Sequence, residues 1–309
     1  MTLNVQMLLK PEAVGTWRPA LAAAFAEAGL DVALATDHAP DHVDYVIYAP
    51  HGAVDLSDYT RTKLVQGLWA GVETIIANPT LTQPYARMVD DGLREGMVEW
   101  VTGHVLHHHL GIDAHIQRTT PEWSPVAPPL ARDRRVTVLG LGELGEACAT
   151  ALAALNFQVA GWSRSPKRIA NVTCFAGDDG LADALAHGEI LVLLLPATPA
   201  TESILNDRAL ARMPKGAVVL NPGRGALIDD DALLTALDAG QVAHATLDTF
   251  RIEPLPKEHP YWSHPRVTVT PHIASETRPE TASRIVADNV ARVERGDTPR
   301  YLVDKSRGY

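Results

Sequence analysis

The chain has 309 residues and a formal net charge of −10, from 27 Lys and Arg against 37 Asp and Glu. That balance excludes broad nucleic-acid binding, which needs a basic face. With 46% hydrophobic and 21% charged residues, the chain is an ordinary globular one, long enough for two domains with their own cores. Two cysteines, Cys148 and Cys174, rule out a disulfide framework and fit a reducing cytoplasm.

The first ten residues lack a basic segment followed by a long apolar stretch, and they read as a first strand rather than a signal peptide. Strands are expected at 5–9, 31–35 and 43–48, and an Ala-rich helix at 17–28 is closed by Gly29. Residues 62–69 lead into the turn Ala70-Gly71-Val72, and 97–110 reads as a helix. The stretch 119–134 holds Pro121, Pro125, Pro128 and Pro129 and reads as an ordered crossing segment. A regular block of strands follows at 135–139, 157–162, 190–195, 218–220, 243–247 and 267–270, and 279–295 is a final helix stopped by Gly296. Strands and helices alternating throughout predict an α/β protein with parallel sheets. The run 190–195, the longest that is strongly apolar, is far too short to span a bilayer.

Residues 140–145 read Gly-Leu-Gly-Glu-Leu-Gly, between the strand 135–139 and an Ala- and Leu-rich helix expected at 146–155. In that setting the motif is a dinucleotide fingerprint. Gly140 permits the tight turn, Gly142 lets the backbone approach a pyrophosphate, and Gly145 lets the helix pack close to the strand. A dinucleotide site that takes NAD carries an acid about 20 residues further on, for the ribose 2′-hydroxyl. Here the next strand ends in Ser163-Arg164-Ser165-Pro166-Lys167, with no acid. A hydroxyl and cations suit a 2′-phosphate, so the reading is NADP(H) over NAD(H).

Three separated polar residues stand at or soon after strand ends, the edge at which open α/β sheets bind ligands. Arg224 lies in Asn221-Pro222-Gly223-Arg224-Gly225, its flanking glycines suggesting close backbone approach to a ligand. Glu253 follows Asp248, and His272 follows Pro271. A permanent cation, an acid and a histidine make a set for carbonyl chemistry. His107-His108-His109, with His104 and His115 near, invites a metal. No acid or cysteine completes the set, so the expectation is a solvated or interface helix and no metal. Trp100, Val101 and Val105 on the same helix suit either a dimer contact or core packing.

Five stretches in order, 139–145, Leu195-Pro196-Ala197-Thr198-Pro199, 221–225, Leu247-Asp248-Thr249-Phe250 with Glu253-Pro254-Leu255-Pro256, and Thr270-Pro271-His272-Ile273-Ala274, resemble the D-2-hydroxyacid dehydrogenase family over nearly the whole chain. Trp162-Ser163-Arg164-Ser165, His264-Pro265-Arg266-Val267, Thr277-Arg278-Pro279 and Arg307-Gly308-Tyr309 are similar to its glyoxylate/hydroxypyruvate reductase A branch. The resemblance implies two Rossmann-like α/β domains, one flavodoxin-like and one dinucleotide-binding, with a cleft between them. The substrate domain would be residues 1–98 with 276–309, and the NADP domain 99–275. It implies NADPH-dependent reduction of glyoxylate or hydroxypyruvate, with His272 as proton donor, Glu253 orienting it and Arg224 on the substrate carboxylate and carbonyl.

Cofactor contacts would come from Gly140, Gly142, Glu143, Leu144, Gly145, Ser163, Arg164, Lys167, Leu195, Pro196, Thr201, Pro222 and Asp248, the last on the nicotinamide carboxamide. Trp69 would shape the substrate pocket, and the N–H groups of Ala70 and Gly71 would hold its carboxylate. A cytoplasmic homodimer is the assembly implied. Trp69, Glu73 and Pro222 depart from the family pattern, Trp69 in a way that narrows or reshapes the pocket. A catalytically idle NADP(H)-binding regulator and a dehydrogenase for a bulkier oxo acid stand as alternatives.

Overall fold

A computed structural model describes the chain except residues 1, 51, 122, 124, 307 and 309. Arg307 and Tyr309, part of one motif above, therefore lie outside the described residues. The chain divides into two compact units, Met1–Leu93 with Glu276–Tyr309, and Arg94–Ser275.

In chain order the elements begin with β1 (Leu3–Leu8), α1 (Pro11–Glu27), β2 (Val32–Ala35), β3 (Tyr45–Tyr48), β4 (Leu64–Gly67), α2 (Glu73–Ile76) and β5 (Tyr85–Ala86). The long helix α3 (Asp91–His109) leads into the second unit, followed by α4 (Ile112–Ile116), β6 (Arg135–Leu139), α5 (Glu143–Ala154), β7 (Gln158–Ser163), β8 (Val172–Ala176) and α6 (Gly177–His187). Then come β9 (Ile190–Leu193), α7 (Asp207–Arg212), β10 (Ala217–Asn221), α8 (Asp230–Asp238), β11 (Val242–Leu247) and β12 (Val267–Val269), and α9 (Pro279–Glu294) returns to the first unit.

The first unit holds a five-stranded sheet in the order β2-β1-β3-β4-β5, every pairing parallel. That order is the flavodoxin-like one. The second unit holds a seven-stranded sheet, β12-β11-β10-β9-β6-β7-β8, also parallel throughout. Its chain runs outward from β6 in both directions, so the order reverses between β6 and β9. Such a switch point opens a crevice at the carboxyl ends of the two strands. The α/β class with parallel sheets is thus as the alternation foretold, and the two Rossmann-like sheets are as the resemblance implied.

Burial explains the parallel pairing. All four residues of β3 and all four of β9 are buried, as strands covered on both faces must be. In the first unit α1 packs on α9, and Leu21, Phe25, Val286 and Val290 fill the layer between helices and sheet. In the second, Val136, Val138, Cys148, Leu152 and Val192 form one core layer and Leu191, Leu193, Leu210, Leu233 and Leu237 the other. Among the described residues, no helix is long and apolar enough to cross a membrane.

Several element bounds differ from the sequence reading, each for a local reason. Helix α1 begins at Pro11 rather than 17, because proline is at home in a first turn, where its missing N–H has no helical partner. Helix α3 begins at Asp91 rather than 97, with the Asp90 carboxylate accepting the Leu93 N–H at 3.2 Å. Helix α5 begins at Glu143 rather than 146, which places the last glycine of the motif inside its first turn. Strands β5 and β8 were not foreseen. The first has two residues, and the second, Val-Thr-Cys-Phe-Ala, is a short edge strand with no fully buried position.

Candidate active site

Strand β6 hands the chain to Gly140, whose φ of +103° strains any side chain. The Gly140 N–H donates to the Trp162 carbonyl at 2.8 Å, which pins the turn to β7. A Cβ on Gly140 would stand 2.5 Å from the Leu194 carbonyl oxygen, and one on Gly145 would stand 1.7 Å from the Gly140 oxygen. The protein's own backbone therefore requires both glycines. Gly142 is different: its φ is −74°, and an added Cβ would meet nothing within 4 Å. It is the N-cap of α5 and makes no side-chain cap bond to that helix among the described residues. The first-turn N–H groups of Glu143, Leu144 and Gly145 thus stand above an unobstructed glycine. Oriented donors, the positive end of a twelve-residue helix and open space fit a pyrophosphate.

At the end of β7 the Ser163 hydroxyl donates to the Ser165 carbonyl at 2.7 Å, folding the strand end into a tight turn. Arg164 and Lys167 are exposed there, and Lys167 Nζ lies 3.6 Å from the Glu146 carboxylate. A pair this long and this exposed contributes little, and it yields readily to an anion. At the end of β9, Leu195 is buried in the core, and the following loop is tied by Thr201. That hydroxyl donates to the Pro196 carbonyl at 2.6 Å and accepts the Thr198 N–H at 2.9 Å. Thr201 shapes this loop from within.

Arg224 follows β10. The preceding Asn221, fully buried, donates from Nδ2 to the Arg224 carbonyl at 2.9 Å and accepts the Gly223 N–H at 3.2 Å. Between them Pro222 is buried, so the loop is locked at both ends. The flanking glycines answer to the protein rather than to a ligand. A Cβ on Gly223 would lie 2.7 Å from the Leu193 oxygen, and one on Gly225 would lie 1.9 Å from the Phe250 carbonyl carbon. The expectation of a ligand against these glycines is corrected accordingly. The contact at Gly225 instead lays the Arg224 loop directly on the loop that carries Glu253. The Arg224 guanidinium donates to the Gly223 carbonyl at 2.7 Å.

Glu253 and His272 meet. Glu253 Oε2 lies 2.7 Å from His272 Nδ1, and Glu253 Oε1 accepts the Phe250 N–H at 2.9 Å. The acid is thereby fixed at one oxygen and bonded to the imidazole with the other. With Nδ1 so engaged, Nε2 is the ring nitrogen available to a ligand, on a side chain 48% exposed. His272 has φ +55°, uncommon for a residue with a side chain. Asp248, fully buried at the end of β11, supports that conformation. Its carboxylate accepts the Thr270 hydroxyl at 2.6 Å and the N–H groups of Ile273 and Ala274 at 2.9 Å each. A histidine aimed by an acid, on a strained turn held by a buried carboxylate, can give and take a proton at one fixed point.

In the first unit, Trp69-Ala70-Gly71 follows β4 and precedes α2. The Trp69 carbonyl accepts the Met88 N–H at 3.0 Å, the residue is 49% exposed, and Ala70 and Gly71 are half-buried. The histidines of α3 pair individually. His107 Nε2 lies 2.8 Å from Asp113 Oδ1, and His108 Nε2 lies 2.9 Å from the Thr246 hydroxyl. The His108 and His244 rings are 4.9 Å apart, and the His109 ring meets Phe157 edge-on. Burial, then His244, pushes the His108 pKa down to about 3. Val101 and Val105 are fully buried beside Cys148 and Leu152, so core packing accounts for both.

Sequence reasoning passed over Asn221, Thr270 and Arg251. Only Asn221 carried a local signal, an Asn two residues before Gly at a strand end, where its side chain closes a turn on its own backbone.

Comparison with known proteins agrees with this geometry. Residues 103–274 match the family model described as D-isomer specific 2-hydroxyacid dehydrogenase, NAD binding domain. The chain is 42% identical over 262 residues to glyoxylate/hydroxypyruvate reductase A of Serratia proteamaculans (strain 568), covering 82% of this chain and 84% of that one. A D-isomer specific 2-hydroxyacid dehydrogenase of Xanthobacter autotrophicus Py2, solved with NADPH and MES, superposes with a TM-score of 0.90 at 38% identity, covering 99% of both chains. An NADPH-dependent glyoxylate/hydroxypyruvate reductase of Sinorhizobium meliloti, solved with NADP and sulfate, does so with a TM-score of 0.85 at 32% identity, covering 100% of this chain and 99% of that one. With the glycine turn, the strand-end residues and the sheet order in agreement, the chain belongs to the D-isomer specific 2-hydroxyacid dehydrogenase family.

Proposed function

We propose that this protein is an NADP-dependent oxidoreductase that reduces a small 2-oxo acid, glyoxylate to glycolate and hydroxypyruvate to D-glycerate. The observation that carries the reading is the 2.7 Å pairing of Glu253 with His272 Nδ1 at the carboxyl edge of the second unit's sheet. That edge also bears Arg224 and the open glycine turn. Support comes from the Serratia and Sinorhizobium relatives, both named glyoxylate/hydroxypyruvate reductase, and from the Xanthobacter and Sinorhizobium structures, solved with NADPH and NADP.

NADPH, when bound, supplies the hydride that reaches the carbonyl carbon. Gly140, Gly142, Glu143, Leu144 and Gly145 hold its pyrophosphate, and Ser163, Arg164 and Lys167 hold the 2′-phosphate. Leu195, Pro196, Thr201 and Pro222 line the remainder, and Asp248, buried behind that edge, supports it through the His272 turn. Arg224 binds the substrate carboxylate and draws charge toward the carbonyl oxygen, a role suited to a permanent forked cation. His272 gives the Nε2 proton to that oxygen as the carbon is reduced, and solvent restores it. Glu253 holds the ring at Nδ1 and stabilises the positive charge during that exchange. The first unit is assigned to substrate, with Trp69, Ala70 and Gly71 as its contacts, and the second to cofactor.

The assembly proposed is a cytoplasmic homodimer. Its support is the segment after α3, where three large apolar residues, Ile116, Trp123 and Val126, are 70%, 93% and 80% exposed.

The test is loss of NADPH absorbance with glyoxylate, hydroxypyruvate and pyruvate, each repeated with NADH. Turnover of the first two with preference for NADPH is expected. Preference for NADH would remove the 2′-phosphate assignment, and no turnover with any of the three would remove the substrate assignment.

A further inference from the structure

Arg251 lies two residues before Glu253 and is assigned no part in the reaction above, yet its guanidinium gathers three loops. Nη1 donates to the Glu202 carboxylate and Nη2 to the Ser203 hydroxyl at 2.8 Å, both in the loop that follows Thr201. Nη2 also donates to the Ala226 carbonyl at 3.1 Å and Nε to the Ile228 carbonyl at 2.9 Å, both just after Arg224. The Asp230 carboxylate stands 4.0 Å from Nε. The two clasped loops are already laced together, Ser203 N–H donating to Ala226 at 2.8 Å and Leu205 N–H to Leu227 at 3.0 Å.

Arg251 ties these two loops to its own, 250–253, whose Phe250 ring also packs against Tyr261. The backbone of that loop rests on Gly225, where a Cβ would come within 2.3 Å of the Arg251 nitrogen, and its Phe250 N–H fixes Glu253 Oε1. A guanidinium reaches several acceptors in one plane, whereas an ammonium with three donors on a flexible stem does not. Five-donor geometry is therefore what this junction selects.

We propose that Arg251 is a positioning residue for catalysis: by clasping the loops at 202–203 and 226–228, it holds Glu253 in register with His272 and with Arg224. This rests on the reading of Glu253, His272 and Arg224 as the reacting set. The role is indirect, since Arg251 acts through Glu253 and meets neither substrate nor cofactor.

The test uses the full-length protein and the variants Arg251→Ala, Arg251→Lys and Glu253→Gln. With glyoxylate and NADPH, Arg251→Ala lowers kcat by roughly 10- to 100-fold, the scale expected when a catalytic group is displaced by about an ångström. KM for NADPH stays within about twofold, since the glycine turn is untouched. Arg251→Lys falls between Ala and wild type, and added methylguanidinium restores part of the Ala variant's kcat. The second readout is independent of turnover: the His272 imidazole is titrated by NMR in wild type and each variant. Arg251→Ala must shift that titration in the same direction as Glu253→Gln. An unshifted His272 in a folded Arg251→Ala, or loss of kcat matched by an equal rise in KM for NADPH, overturns the proposal. If wild type turned over no oxo acid, the reaction assignment would fail by itself, and the titration would still decide whether Arg251 sets the Glu253–His272 pair.

Discussion

Asp248 holds His272 by backbone and side chain together: its carbonyl accepts the His272 N–H at 2.9 Å, and its carboxylate accepts the next two N–H groups, of Ile273 and Ala274. The turn that aims the imidazole is thus built on a carboxylate with no exposure to water. Replacing Asp248 by Ala leaves those donors unpaired in the interior, at about 1–3 kcal/mol for the group. Asp248→Ala is expected to lose that much stability in urea unfolding and to lose activity more than in proportion, because His272 is freed from its φ of +55°. Full activity with the stability loss alone would separate the turn from the chemistry.

The glycine turn makes two opposite predictions. Gly145→Ala places a Cβ 1.7 Å from the Gly140 oxygen and is expected to unfold the turn, lowering the melting temperature. Gly142→Ala meets no protein atom within 4 Å and costs up to about 1 kcal/mol as a helix cap, far less than the backbone clash at Gly145. Its cost is expected in NADPH affinity, roughly tenfold or more, about 1.4 kcal/mol. Calorimetry and a fluorescence titration on both variants check the contrast. Unchanged NADPH affinity in Gly142→Ala would remove the pyrophosphate from this glycine.

Arg164 stands exposed at the end of β7, where an acid would mark NAD. Arg164→Ala is expected to weaken NADPH by roughly tenfold, the loss of one charge-assisted bond, and to leave NADH nearly as it was. Equal weakening of both cofactors, measured as dissociation constants, would place the 2′-phosphate elsewhere.

The buried histidines of α3 and β11 predict how stability depends on pH. Burial lowers the pKa of His104, His108 and His244, the largest shift being His108, from 6.5 to about 3. The unfolded chain binds these protons first as pH falls, so stability is whole above 6.5 and is lost progressively down to about 3. Each extra proton on the unfolded chain contributes about 1.4 kcal/mol per pH unit. Urea midpoints measured across that window should fall with pH, and His108→Gln should flatten the fall. An equally steep profile in His108→Gln would contradict the assignment.

Much of this architecture was legible because it is local. The turn at Gly140, the apolar strands β6 and β9 and the polar residues after β10, β11 and β12 are each written in a few consecutive positions. The start of α5 was not, since a glycine in a first helical turn is disfavoured by propensity and is there only because Gly145 packs on Gly140. The glycines flanking Arg224 misled for a related reason. Close approach was correctly inferred, but the approaching backbone is that of Phe250 and Leu193, remote in sequence. The same remoteness hid Arg251, whose hydrogen-bond partners lie between 23 and 49 residues away, and left Val101 and Val105 open between a dimer contact and the core.

The central claim is that His272, set by Glu253, is the proton donor in the reduction of a 2-oxo acid. The most direct measurement is turnover of glyoxylate with NADPH by wild type and by His272→Gln, with NADPH affinity measured on both. The account predicts a fall of roughly 10²- to 10⁴-fold in kcat, the range for loss of a general acid, with NADPH affinity within about twofold. Turnover by His272→Gln equal to that of wild type would contradict it.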